Sequence, residues 1–168
     1  MPDAPELLLN RLLAKRSTPT LATAESCTGG TVASRIASLS GSSAYFLGGV
    51  VSYSNTVKHN VLSVPQSVLD QRGAVSPECA QAMAAGARAL IGSDIAVSTT
   101  GIAGPEGGTA RKPVGLVYIG IATPTWLDAF EFRFSGDRAH VIDQAAFQAL
   151  TILLQAANQA VATVDTGA

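Results

Sequence analysis

Residues 24–30 read Ala-Glu-Ser-Cys-Thr-Gly-Gly and set two potential nucleophiles side by side, Ser26 and Cys27. Either would need a general base or a lowered pKa to react. Histidine, the usual base, is scarce: the chain holds only His59 and His140. Both fall on predicted helix surfaces, and no GxSxG elbow surrounds the serine. No HExxH or similar ligand cluster is present, which argues against a metal hydrolase. Cys27 and Cys79 form neither a disulfide framework nor a CxxC site. Cys27 competes with Ser26 as nucleophile, although a small packed residue is its simpler reading. Among Lys15, Lys58 and Lys112, Lys58 stands five residues beyond Tyr53, just past a predicted strand end. A lysine partly desolvated in a cleft gives up its proton more readily and can accept one from serine. On an open helix surface it is merely a solvated cation, and taken alone that is the better reading. The Tyr53–Lys58 pair is also similar to the Tyr–Lys pair of short-chain dehydrogenases. The spacing differs by one, and no GxGxxG follows the first strand.

The same stretch has a structural reading. It fits a strand-to-helix turn, with Ser26 or Thr28 as N-cap and Gly29-Gly30 at the bend. Cap and chemistry are compatible, because a helix N-terminus offers N–H groups to an anion or an oxyanion. Two further strands end in polar residues, one at Tyr53-Ser54-Asn55 and one at Thr99-Thr100-Gly101. Ligands of open α/β sheets bind beyond the carboxyl ends of parallel strands. Parallel neighbours would therefore bring these ends into one crevice. The loop GIAGPEGGTARKPVG (101–115) lacks the GK[ST] of a phosphate-binding P-loop. Its length suggests a function rather than an idle surface loop. Arg138 stands in the first turn of a helix opened by FSGDR (134–138), against the dipole preference. An anionic partner, either Asp137 or a phosphate, would offset that.

The elements that must position these residues follow from periodicity. Leucines 8, 9, 12 and 13 stripe a helix over Pro5–Lys15. Strands are expected at 20–25, 45–53, 94–100, 114–122 and 127–134. Helices are expected at 31–39, 55–62 and just after Pro65. Ser76 caps another that runs to about Ile91, with Pro77 at its first position. A last helix, capped by Ser135 or Asp137, is expected to end near Val161, with 164–168 as a frayed tail. The alternation predicts an α/β fold, a three-layer α/β/α sandwich with a mixed, mostly parallel sheet. The length, 168 residues, predicts a single domain over 1–168. Hydrophobic residues make up 47% and charged residues 14%, which excludes a disordered chain. A net charge of -1 gives no basic surface for nucleic acid or anionic membrane. No signal peptide or membrane-length apolar run is visible, so a reducing cytoplasm is expected.

As a set, AESCTGG, GGVVSYSNTVKHNVLSV, GAVS, TTGIAGPEGGTARKPVG and FSGDR resemble the CinA C-terminal domain family, the nicotinamide mononucleotide deamidases also called PncC. The likeness covers about residues 6–160, and the chain resembles the stand-alone form rather than the longer one with an added N-terminal domain. It implies hydrolysis of the substrate carboxamide to nicotinate mononucleotide and ammonia. It assigns Ser26 as nucleophile and Lys58 as its base, with Tyr53, Thr100 and Arg138 completing the catalytic and binding site. The CTGG turn (Thr28, Gly29, Gly30) would stabilise the oxyanion. Gly101 and Gly104 would line the substrate, and Arg138 or the glycine-rich loop would hold its phosphate. No metal or cofactor is implied. The expected partner is a small nucleotide, with no nucleic acid or membrane, and the chain is expected to form a homo-oligomer. The family name, from competence and DNA damage, also allows a non-catalytic nucleotide-binding or regulatory module. Two positions depart from the family pattern: Ser63 stands where glycine is frequent, and Ile142 where a basic residue is frequent.

Overall fold

A computed structural model describes residues 3–16 and 18–167. The elements follow in the order α1 (Pro5–Leu13), β1 (Leu21–Glu25), α2 (Thr31–Ala37), β2 (Phe46–Val51), α3 (Asn55–Leu62), α4 (Gln66–Gln71) and α5 (Pro77–Ile91). After them come β3 (Ile95–Gly101), β4 (Leu116–Ala122), β5 (Leu127–Arg133) and α6 (Arg138–Thr166). The five strands form one sheet in the order β2-β1-β3-β4-β5. β1 pairs in parallel with both β2 and β3. β4 is antiparallel to β3 and to β5, so β4 alone is reversed. The sheet is mixed and mostly parallel, as expected.

β1 is central and every residue of it is buried. A strand covered on both faces feeds two cores. On one face Leu21 joins Leu9 and Leu13 of α1, Val32 and Ile36 of α2, and the inner side of α6. On the other, Ala22 and Ala24 join Cys79, Met83 and Ala87 of α5, with Leu62, Val64 and Leu69. The small residues of β1 and α5 let helix and sheet approach closely. Gly86 of α5 carries this furthest. A Cβ there would lie 1.9 Å from the Leu62 carbonyl oxygen, so only glycine admits the end of α3 at that distance. α3 is thereby seated against α5 beside the carboxyl end of β2.

The local signals work largely as read. Ser76 Oγ accepts from Cys79 N at 3.1 Å and caps α5, and Gly92 closes it at φ 75°. Asp137 rather than Ser135 caps α6, accepting from His140 N at 3.0 Å. The last helix does not stop near Val161. It runs to Thr166, where Gly167 closes it at φ 67°, and Arg16 reaches Asp165 with two bonds of 3.2 Å. The expected fray is thus ordered helix through Thr166.

Candidate active site

The register places three strand ends at one level. Glu25 pairs with Val51 of β2 and with Thr99 of β3. The ladder continues one step further: Ser26 N donates to Thr99 O at 2.9 Å, and Ser52 N donates to Glu25 O at 2.8 Å. The residues that follow, Ser26, Tyr53 and Thr100, therefore emerge together. They open on a cavity of about 280 Å³ that Lys58, Ala74, Val75, Gly101, Gly104, Glu106 and Arg138 also line.

Lys58 is the centre of this geometry. Ser54 Oγ accepts from Val57 N at 3.2 Å and starts α3, so the fourth residue of the helix, Lys58, turns inward with Leu62 one turn later. Its side chain is 1% exposed. The Nζ atom lies 2.9 Å from Ser26 Oγ and 2.9 Å from Ser52 O, with Tyr53 O at 3.5 Å. No carboxylate pairs with it among the described residues. Burial therefore pushes the amine below its ordinary value of 10.5, against weak opposition from the nearby Cys79 and Cys27. Two carbonyl oxygens can take two N–H bonds of a neutral amine. The remaining lone pair then faces the Ser26 hydroxyl.

Cys27 also lines the cavity, but its thiol is buried. Desolvation pushes it up to about 12, so it stays protonated at neutral pH and is no thiolate nucleophile. Cys79, on the core side of Lys58, is likewise pushed up to about 11 by burial.

The expected residues divide into two sets. Ser26, Lys58, Tyr53, Thr100, Gly101, Gly104 and Arg138 share the cavity. Thr28, Gly29 and Gly30 do not line it. The reason is Glu25, whose position in the sequence signals no role of its own. Its carboxylate is 1% exposed and lies over the start of α2. It accepts from Gly30 N (3.0 Å), Val32 N (3.0 Å), Ala33 N (2.8 Å) and Thr28 Oγ1 (2.6 Å). The N–H groups expected to serve an oxyanion are thus already satisfied by the protein's own anion. Two amides in the turn remain: Cys27 N–H, next to Ser26, and Thr28 N–H donate to no other residue among those described.

Thr100 and Arg138 also differ in detail from expectation. Thr100 Oγ1 donates to Ala74 O at 2.7 Å, so it holds the 74–75 turn against the cavity. Arg138 does not pair with Asp137, whose carboxylate takes His140 N and Nδ1 instead. Arg138 donates to Gly104 O at 2.9 Å and to the Tyr53 hydroxyl at 2.8 Å. It spans the mouth from the glycine-rich loop to the end of β2, and no carboxylate pairs with it among the described residues. A shallower cavity of about 700 Å³ continues past Arg138 toward Pro105, Val114 and Ile142. The loop between is tied down, with Gly115 N donating to Ile102 O and Lys112 Nζ donating to Arg72 O at 2.7 Å. His59 and His140 stay outside the Ser26 cavity, His59 Nδ1 lying 2.8 Å from Val64 O. Asn55 lines the cavity as its strand-end position implies, whereas Glu106 and the Ser52 carbonyl are site features the sequence does not point to. A backbone acceptor leaves no signal in residue types, and Glu106 reads as an ordinary loop acid.

The family model of the CinA C-terminal domain matches residues 4–157. The chain belongs to the CinA C-terminal domain family. It is 57% identical over 131 residues to a CinA-like protein of Geotalea uraniireducens, covering 78% of this chain and 31% of that one. A CinA-like protein of Geotalea daltonii is 53% identical over 141 residues, covering 84% and 34%. The chain thus spans about a third of the length of the curated relatives it matches. Among solved structures, it is similar to the competence/damage inducible protein CihA of Agrobacterium tumefaciens, with a TM-score of 0.86 and 36% identity over 92% of this chain and 96% of that one. A CinA superfamily protein of Klebsiella pneumoniae gives 0.86 and 36%, over 94% and 99%. No helix among the described residues is long and apolar enough to cross a membrane.

Proposed function

We propose that this CinA-family chain is an amidohydrolase that cleaves the carboxamide of nicotinamide mononucleotide, releasing ammonia and nicotinate mononucleotide. The observation that carries the reading is the 2.9 Å approach of a buried, carboxylate-free Lys58 amine to Ser26 Oγ. In the resting state the Ser26 hydroxyl donates to the neutral Lys58 amine. As Ser26 Oγ attacks the amide carbon, Lys58 takes its proton, and the amide oxygen becomes an oxyanion. Cys27 N–H, lying next to the nucleophile and bonded to no other residue, supplies one donor to it. The Lys58 ammonium then protonates the departing nitrogen, ammonia leaves, and an ester to Ser26 remains. Water adds to that ester with Lys58 again as base, freeing the acid and restoring the serine.

Arg138 supplies the charge for the phosphate at the mouth, where the ligand would displace the Tyr53 hydroxyl. Tyr53, freed, is placed to donate to the substrate. A cytoplasmic setting, a nucleotide substrate and a homo-oligomeric form go with this reading. The test is ammonia release from nicotinamide mononucleotide, with Ser26→Ala and Lys58→Ala as controls. Turnover in the parent and a fall of roughly 10³-fold or more in both variants is expected. Nucleotide binding without ammonia release would instead make the chain a nucleotide-binding or regulatory module, and near-normal turnover in folded Ser26→Ala would remove the nucleophile assignment.

A further inference from the structure

Glu25 is the most deeply buried carboxylate beside the cavity, yet it does not line it. Its two oxygens face unequal sets of donors. Oε1 accepts from Ala33 N, whereas Oε2 accepts from Gly30 N, Val32 N and the Thr28 hydroxyl. The Thr28 proton is therefore committed to the carboxylate, because a carboxylate can only accept. Thr28 Oγ1 also lies 2.7 Å from Thr99 Oγ1, and that contact must run with Thr99 donating. All three side chains are buried. They form a directed chain from β3 through the turn to the carboxylate: Thr99, then Thr28, then Glu25.

This chain brackets the nucleophile. Ser26 and Cys27 are the only residues between Glu25 and Thr28, and Ser26 N donates to Thr99 O. Both ends of the two-residue span are thus anchored to one another and to β3. Gly29 N donates back to Ser26 O at 3.1 Å and tightens the same turn. A hydroxyl nucleophile must be held within a fraction of an ångström of its base, and its supporting hydrogen bonds decide whether it is.

We propose that Glu25, Thr28 and Thr99 are positioning residues, whose hydrogen-bond chain fixes the Ser26 turn so that Oγ faces Lys58. This rests on Ser26 being the nucleophile of the preceding section. The buried anion also occupies the start of α2, so that helix N-terminus orients the turn and does not bind substrate. Loss of the chain should slow the reaction at serine and leave substrate binding at Arg138 and the loop in place.

The experiment follows covalent labelling of Ser26 by a fluorophosphonate probe, read by intact mass, beside steady-state kinetics with nicotinamide mononucleotide. Thr28→Val removes the link and keeps the side-chain volume, while Thr28→Ser keeps the link. We expect Thr28→Val to label at least tenfold more slowly, with kcat reduced in proportion and KM within about twofold. Thr28→Ser should recover most of both rates. Thermal melts establish that each variant is folded at the assay temperature. Should Thr28→Val not fold, Thr99→Val against Thr99→Ser cuts the same chain from β3. Labelling of a folded valine variant at the parent rate overturns the proposal. An equal loss in valine and serine variants overturns it too, because packing rather than the hydroxyl would then be responsible. A parent protein that leaves Ser26 unlabelled, while binding nucleotide, removes the nucleophile reading and this proposal with it.

Discussion

Replacing Lys58 by methionine tests the buried amine through stability rather than turnover. Lys58 is 1% exposed and has no carboxylate partner among the described residues, so folding moves its amine out of water with neutral hydrogen-bond partners but no counter-charge. In the unfolded chain the amine keeps its ordinary value of 10.5, and in the folded chain it titrates lower. Between those two values the unfolded state holds one more proton than the folded state. Stability must then rise with pH across that window, by up to about 1.4 kcal/mol per pH unit for one proton. Below the folded-state value both states are charged, the slope vanishes and the full cost of burying the ammonium remains. Methionine keeps the apolar stem and removes the titration. The difference in unfolding free energy, parent minus Lys58→Met, should climb with pH at that slope and level off near 10.5.

The thiols act in the opposite sense. Cys27 and Cys79, raised to about 12 and 11 from 9.0, draw stability down as pH rises past 9. That contribution is common to both proteins and largely cancels in the difference. Urea unfolding followed by fluorescence of the single tryptophan, Trp126, between about pH 6.5 and 10 measures it. The same onset should appear as the acid limb, along which kcat/KM rises with pH toward its plateau. A difference that stays flat over the whole range would mean that folded Lys58 keeps its proton like any surface lysine. Ser26 would then have no base at neutral pH, and the mechanism would fail with it.

Three shorter predictions follow from the same contacts. Ser63 is the one non-glycine residue with positive φ among those described, at 56°, closing α3 one turn after Lys58. Ser63→Gly should relieve that conformation and stabilise the fold by about 0.5–1 kcal/mol, read as a melting temperature higher by a few degrees. At Gly115, φ is 91° and a Cβ would stand 2.0 Å from Phe134 O. Gly115→Ala should therefore cost about 2 kcal/mol or more, visible as a lower urea midpoint or lost soluble yield. Arg138→Met should raise KM for nicotinamide mononucleotide at least tenfold while changing little for the riboside that lacks the phosphate; equal effects on both would place the phosphate elsewhere.

How far the sequence reaches differs from element to element. Period and capping suffice for α3, bounded as expected at Asn55 and Leu62, and for α5, opened by Ser76-Pro77 and closed before Gly92. These signals are local, each readable within a turn of the chain. The end of α6 was placed short, because Val161 closes the buried face while an exposed turn continues to Gly167. An exposed turn leaves no hydrophobic periodicity to read.

For the site, the sequence by itself determined the inventory. It supplies a serine at one strand end, a lysine five residues past another strand's Tyr53, and an arginine at the start of the last helix. It also determined that three strands finish in polar residues, which is enough to point to one edge of the sheet. Only the tertiary structure decided what each does. Spacing favours Lys58 as a surface cation over a base; packing of α3 on α5 at Gly86 removes it from water and sets it against Ser26. Spacing offers the start of α2 to an oxyanion; the fold of residues 25–33 gives those amides to Glu25 instead. The physical reason is the same in both cases. Charge state and hydrogen-bond commitment depend on burial and on partners distant in sequence, and neither is a property of a residue type or its spacing.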